Sequence, residues 1–251
     1  MDTGKMDIEK EFFILDSDGL KLQAFIAIPK PAPRPMPSVQ IHHAGGGHEP
    51  IYEQMASELA SRGIVGITMI HRGYPGSEGK MEYGKGEITD IGNLIKEMKA
   101  RPYIDPKRMG IMGYSRGAHN AILSIERYDD FIAGALWSTP TDMIDHVEVN
   151  PWIAYMFGGA PDQVPIEYRI RSSILSVDRV NCPLLLIHGE IDDVVPVRHT
   201  LRLSEALEKL NKPYELKVFP SEGHIWSMSG FTNNWRLTIE WFERHFEQRC
   251  D

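Results

Sequence analysis

The sequence predicts an α/β fold: a mostly parallel sheet with helices on both faces, entered through an antiparallel N-terminal hairpin. Three observations carry this. After about residue 38, short β-rich runs alternate with stretches whose apolar residues recur every three or four positions, the pattern of successive βα units. Before that point, two runs flank Asp18-Gly19, a tight-turn dipeptide that marks a hairpin. Finally, 251 residues with 42% hydrophobic and 25% charged side chains are enough for one domain with a sizeable core, and they exclude a disordered chain.

In chain order, the hairpin strands are Glu11–Leu15 and Leu20–Ile28. The stretch Pro29–Pro37, with five prolines, reads as a stiff connector and not as a domain boundary. Ser38–His42 is a strand, and Ile51–Arg62 a helix with Tyr52, Met55 and Leu59 on one face. Ile64–Ile70 is a buried strand. Glu87–Ala100 is a helix whose Ile88, Ile91, Ile95 and Met98 are spaced by three and four. Arg108–Gly113 is a strand, Arg116–Tyr128 a helix, and Ile132–Ser138 and Pro183–His188 are strands. Val197–Leu210 is helical, Tyr214–Phe219 a strand and Asn233–Gln248 a closing helix. Parallel strands joined through helices need crossovers, which are right-handed in nearly all proteins. No internal repeat interrupts the series.

One interval does. Residues 139–181 lie between two strands and exceed an ordinary connection. They carry Met143, Ile144, Trp152, Ile153, Tyr155, Met156 and Phe157 at irregular spacing. This much apolar area predicts a small helical cap over the strand ends, within a single domain spanning 1–251.

Composition excludes several function classes. The longest apolar stretches, Ile64–Ile70 and Phe131–Trp137, are about seven residues, far short of the ~20 a membrane helix needs. Met1 to Glu11 has no apolar h-region, so no secretory signal is expected. Two cysteines, Cys182 and Cys250, form no disulfide framework, and a reduced cytoplasmic location follows as the expectation. Net charge is −8 with no basic block, which argues against a nucleic-acid partner. An oligomeric state is left open.

The chemistry begins at Gly113-Tyr114-Ser115-Arg116-Gly117, a G-x-S-x-G with the strand Met109–Met112 before it and a helix after it. A serine on that sharp turn lifts its Oγ above the sheet edge, and small residues two positions to either side let the backbone turn. A serine hydroxyl needs a base, and the base needs a third group to hold it. In sites of this kind the partners follow in the order Ser, Asp or Glu, His. Of ten histidines, only His199, His224 and His245 come late enough. His199 and His245 fall within helices and read as solvated. His224 follows a strand, in Pro220-Ser221-Glu222-Gly223-His224, at the sheet edge where ligands bind. His224 is the expected base. The acid should leave the strand before it, where Asp192 and Asp193 compete, and either could instead cap the helix that begins near Pro196.

A resemblance separates them. His188-Gly189-Glu190-Ile191-Asp192-Asp193-Val194-Val195-Pro196 is similar to the H-G-x-x-D-x-x-V-P stretch of the prolyl oligopeptidase and acylaminoacyl-peptidase serine hydrolases. Arg72-Gly73 followed by Gly76 and Gly79, Tyr168 with Arg171-Ser172, and Glu222-Gly223-His224 extend it over roughly residues 38–248. The resemblance implies an α/β-hydrolase fold, and it implies that the first aspartate, Asp192, is the acid. Two departures stand out. The chain has no room for those peptidases' β-propeller, so a stand-alone catalytic domain is expected. The family's aromatic or glycine after the nucleophile is here Arg116.

The oxyanion hole should use the amide of Arg116 and one from the loop His42-His43-Ala44-Gly45-Gly46-Gly47-His48, with Ala44 the first choice and Gly45 the second. Reading His42, His43 and His48 as a metal cluster fails on two counts. Adjacent strand residues point to opposite faces, and no carboxylate or Cys lies at ligand spacing. No cofactor is expected. Trp152, Tyr155, Phe157 and Trp226 are candidates for an apolar substrate pocket. The sequence therefore predicts a serine hydrolase cleaving carboxylic esters, short-to-medium acyl or aromatic, through an acyl-enzyme. The runner-up is an acylaminoacyl or small-peptide hydrolase. A dienelactone-hydrolase-like enzyme and a ligand receptor without turnover rank below, the receptor because all three triad positions are filled.

Overall fold

A computed structural model describes residues 6–32 and 35–247. Met1 to Lys5, Pro33 and Arg34 in the proline-rich connector, Gln248 at the end of the expected last helix, and Cys250 lie outside the described residues. The hairpin strands β1 (Asp7–Ser17) and β2 (Leu20–Lys30) pair from Ser17↔Leu20 outward. Asp18 and Gly19 both have positive φ, 52° and 85°, as a two-residue turn between twisted strands requires.

Six more strands follow: β3 (Met36–His42), β4 (Val65–Met69), β5 (Ile104–Tyr114), β6 (Phe131–Trp137), β7 (Leu184–Gly189) and β8 (Tyr214–Phe219). They build one eight-stranded sheet in the order β1-β2-β4-β3-β5-β6-β7-β8. Pairing is antiparallel from β1 to β4 and parallel from there on, so the α/β expectation with its antiparallel edge holds.

Both sheet faces are apolar because both are covered. Along β7, Leu184 and Leu186 join one core, with Ile91 and Leu94 of α2 (Gly86–Ala100), Ala118 of α3 (Arg116–Ile125) and Leu203 of α7 (Arg198–Lys209). Leu185 and Ile187 join the other, with Tyr52 and Met55 of α1 (Pro50–Ser61) and Trp235 and Ile239 of α8 (Met228–Glu247). The period of two in a strand sorts them.

Between β6 and β7 the chain forms α4 (Met143–Val149), α5 (Trp152–Phe157), α6 (Pro165–Arg169) and two 3-10 turns. Met143, Ile153, Phe157 and Tyr168 close over Tyr83 as a third, small core. None of the described helices is long and apolar enough to cross a membrane. Cys182 is buried and unpaired among the described residues, and burial pushes its thiol up to about 12.

Several boundaries differ from the sequence expectation: β1 starts at Asp7 instead of Glu11, and α3 ends at Ile125 instead of Tyr128. Strand β5 starts four residues early, because Ile104 already pairs with Met36 across a bulge. Helix α8 starts at Met228 instead of Asn233. Ser227 accepts from the Gly230 amide (3.0 Å) while its own amide donates to Glu222 (2.8 Å), capping a turn that carries no apolar period.

Candidate active site

The parallel strands deliver four loops to one edge of the sheet. Ser115 sits between β5 and α3 with φ 55° and ψ −117°, a backbone conformation an L-residue keeps only when its surroundings impose it. Its amide donates to Trp137 of β6 (2.8 Å). The flanking glycines are there for space. A Cβ on Gly113 would lie 2.2 Å from the Gly117 carbonyl, and one on Gly117 would lie 2.1 Å from the His42 carbonyl. The elbow can turn only while both positions lack a side chain.

His224, on the loop after β8, and Asp192, on the loop after β7, complete a chain of hydrogen bonds. Ser115 Oγ is 2.9 Å from His224 Nε2, and His224 Nδ1 is 2.8 Å from Asp192 Oδ2. An ionised carboxylate only accepts, so Nδ1 carries the proton and Nε2 is the acceptor that faces the Ser115 hydroxyl. Burial opposes ionisation of Asp192, but hydrogen bonds from His188, His224 and the Val195 amide outweigh it and hold the carboxyl well below the usual carboxylate range. Asp193 is exposed.

Several positioning residues escaped the sequence reading. His188 Nε2 donates to the Val195 carbonyl (2.7 Å) and lies 3.3 Å from Asp192, while its Nδ1 accepts from Thr200 (2.6 Å). It therefore clamps the acid loop from beneath. The Tyr114 hydroxyl donates to the His224 carbonyl and pins the other loop. Ile191 also donates to the Glu222 carbonyl (3.1 Å), and Gly189 is the contact point, since a Cβ there would lie 2.3 Å from that oxygen. The only sequence signal for these was His188 inside the recognised motif.

The glycine loop after β3 flanks Ser115 on the other side. The Ala44 amide donates to the Tyr52 hydroxyl (2.9 Å), so the first-choice oxyanion donor is already engaged. The Gly45 amide has no partner among the described residues, whereas its carbonyl accepts from Tyr74 (2.8 Å). His43 fixes this loop: Nδ1–H donates to the Ala44 carbonyl (2.8 Å) and Nε2 accepts the His71 amide (3.0 Å). The expectation that His42 and His43 point to opposite faces fails. Strand β3 ends at His42, alternation stops there, and both rings stack on His71, at 5.3 and 4.1 Å between centroids. His199 is not solvated either. It is fully buried and accepts from the Thr141 and Asp142 amides (3.3 and 3.4 Å), tying the segment before α4 to α7.

Burial holds His42 and His43 down at about 3, and His119 at about 4. In the folded chain they stay neutral, whereas unfolded histidines titrate near 6.5. Each therefore adds stability that is complete above pH 6.5 and is lost as pH falls toward the folded value. By pH 5 one such histidine costs about 2 kcal/mol. Urea unfolding at pH 7.5 and pH 5 should show a drop of several kcal/mol, and equal midpoints would contradict the buried-neutral assignment.

Above Ser115 lies a cavity of about 770 Å³. Trp152 and Trp226 line it, together with Tyr83, Tyr114 and Met81. Two expected pocket residues do not. Tyr155 is 90% exposed, on the outer face of the short helix α5. Phe157 is buried in the small core, 4.9 Å from the Tyr168 ring and 4.5 Å from the Arg171 guanidinium. Spacing could not separate them, because a six-residue helix without a period has no legible face. Phe157→Ala should then lower stability by about 3–5 kcal/mol, and Trp152→Ala should leave the melting temperature nearly unchanged and shift KM. The reverse assignment of effects would contradict this geometry.

Residues 53–249 match the prolyl oligopeptidase family. Among curated proteins, the chain is 30% identical over 172 residues to the uncharacterized peptidase YtmA of Bacillus subtilis, covering 66% of this chain and 67% of that one. It is 31% identical over 182 residues to dipeptidyl peptidase 8 of Homo sapiens, covering 66% of this chain but only 19% of the relative's length. Among solved structures, an acylaminoacyl peptidase of Pyrococcus horikoshii superposes with a TM-score of 0.86 at 24% identity, over 97% of this chain and 42% of that one.

Proposed function

The chain belongs to the prolyl oligopeptidase family, and on that premise we propose that it is a serine peptidase cleaving short or N-blocked peptides through an acyl-enzyme. The observation that carries the proposal is the hydrogen-bonded chain Ser115–His224–Asp192 beneath an open cleft. The sequence alone placed carboxylic esters first and acyl-peptides second. Membership of the family reverses that order, and relatives named as dipeptidyl peptidases and an acylamino-acid-releasing enzyme support the peptide bond.

In this mechanism Ser115 Oγ attacks the scissile carbonyl carbon as its proton passes to His224 Nε2. The imidazolium that forms is held by the ionised Asp192. The carbonyl oxygen, now negative, is met by the amide of Arg116 at the α3 N-terminus. The second donor comes from the glycine loop, where Gly45 is the better placed of the two candidates because Ala44 already donates to Tyr52. The C–N bond breaks as Nε2 returns the proton to the leaving amine. Water then repeats the sequence on the serine ester, releasing the acid and restoring Ser115. The segment 139–181 acts as a cap that walls the cleft through Trp152.

The test is a matched panel of N-acetyl-dipeptidyl 4-nitroanilides, free dipeptidyl 4-nitroanilides and 4-nitrophenyl esters of two to eight carbons. Turnover of either anilide series with Ser115 intact, lost in Ser115→Ala, is the expected result. Cleavage of the esters alone would return the function to an esterase.

A further inference from the structure

Arg116 occupies the position where the family carries an aromatic residue or glycine, and among the described residues no carboxylate forms an ion pair with it. It is 4% exposed. Its guanidinium carbon lies 4.7 Å from the centre of the Tyr74 ring and 5.7 Å from that of Tyr83. Nε and Nη2 are buried with no hydrogen-bond partner among the described residues, and Nη1 meets the thioether of Met81. The imidazoles near enough to feel its charge, His43, His71 and His119, are kept neutral by burial. The nearby buried carboxylate, Glu87, accepts from the amides of Glu82, Tyr83, Gly84 and Lys85 and forms no ion pair with Arg116.

A buried charge without an ion-pair partner is costly, and a ligand from outside the chain can supply the partner. The planar guanidinium presents its donors as a fork matched to a carboxylate. Met81, half-buried and flexible, shares the cleft lining with Arg116 and covers the fork with a weak acceptor that a stronger one can displace. We propose that Arg116 is an anion subsite beside Ser115, taking a substrate carboxylate within one residue of the scissile bond. This rests on the peptidase reading and deepens it, by assigning the substrate class: peptides acidic at the residue before the scissile bond, or ending in a free carboxylate just after it.

Three substrate pairs test it with the whole chain, each differing only in one carboxylate. N-acetyl-Ala-Glu-4-nitroanilide against its Gln counterpart reads a side-chain carboxylate. N-acetyl-Ala-Ala against its C-terminal amide reads a terminal one. The 4-nitrophenyl monoester of glutaric acid against 4-nitrophenyl butyrate reads the subsite without a peptide bond. The readout is the ratio of kcat/KM within each enzyme form, so a general loss of activity cancels, and fluorophosphonate labelling verifies an assembled site in every variant. The expected result is a roughly 10- to 100-fold preference for the acid in at least one pair. Arg116→Gln and Arg116→Met should bring that ratio toward one, and Arg116→Lys should keep part of it.

A ratio near one in every pair, or a ratio that survives Arg116→Met, overturns the subsite. If the peptides are cleaved and no pair shows an acid preference, the subsite falls and the peptidase reading stands. If only the ester pair turns over and its ratio depends on Arg116, the subsite stands and the peptidase reading falls. No turnover of any pair overturns both.

Discussion

Replacing Ser115 with alanine is expected to lower kcat by about a million-fold on any substrate the enzyme accepts, because nucleophile, base and acid act as a unit. Among the described residues, the only base within hydrogen-bonding distance of Ser115 Oγ is His224 Nε2, and the strained φ of 55° is what holds Oγ there. Alanine accepts the same backbone conformation no better than serine, and it removes one atom at a nearly buried position. Stability should therefore change little while turnover collapses. A variant with wild-type melting temperature and more than a few per cent of wild-type turnover would show that another group does the chemistry.

The second large effect separates two neighbouring aspartates. Asp192→Asn should reduce kcat about ten-thousand-fold. The amide would offer an N–H where His224 Nδ1 needs an acceptor, which favours the tautomer with its proton on Nε2, facing the serine. It would also leave the Val194 and Val195 amides, 3.0 and 2.7 Å from Oδ1, with a weaker acceptor. Asp193→Asn should change kcat by no more than a few-fold, since that side chain is exposed. Steady-state kinetics on one substrate decide the ranking, and the reverse order would move the acid by one residue.

Much of this was legible in the residues. Sheet class and hairpin followed from periodicity and from Asp18-Gly19, because both are local signals that burial on two faces amplifies. The G-x-S-x-G turn was legible because steric exclusion at Gly113 and Gly117 leaves no other residue there. What stayed hidden depends on approach between distant segments. Nothing local marks Tyr52 as the partner of the Ala44 amide, eight residues away, or His199 as the anchor of residues 141 and 142. Phe157 and Trp152, five residues apart on a short helix, divide between core and cleft according to where Tyr83 and Tyr168 happen to lie. The orphan charge of Arg116 shows in the sequence only as an odd residue in a motif. Its meaning comes from the lack of an ion-pair partner among the described residues.

The central claim is that Ser115 is an activated nucleophile held by His224. Incubating the protein with a fluorophosphonate and mapping the adduct by mass spectrometry tests it most directly, because that reagent needs an assembled nucleophile and base but no particular substrate. A single adduct is expected on the peptide containing Ser115, absent in Ser115→Ala and strongly slowed in His224→Gln. Labelling that persists in Ser115→Ala, or wild-type protein that stays unlabelled while it turns over substrate, would contradict it.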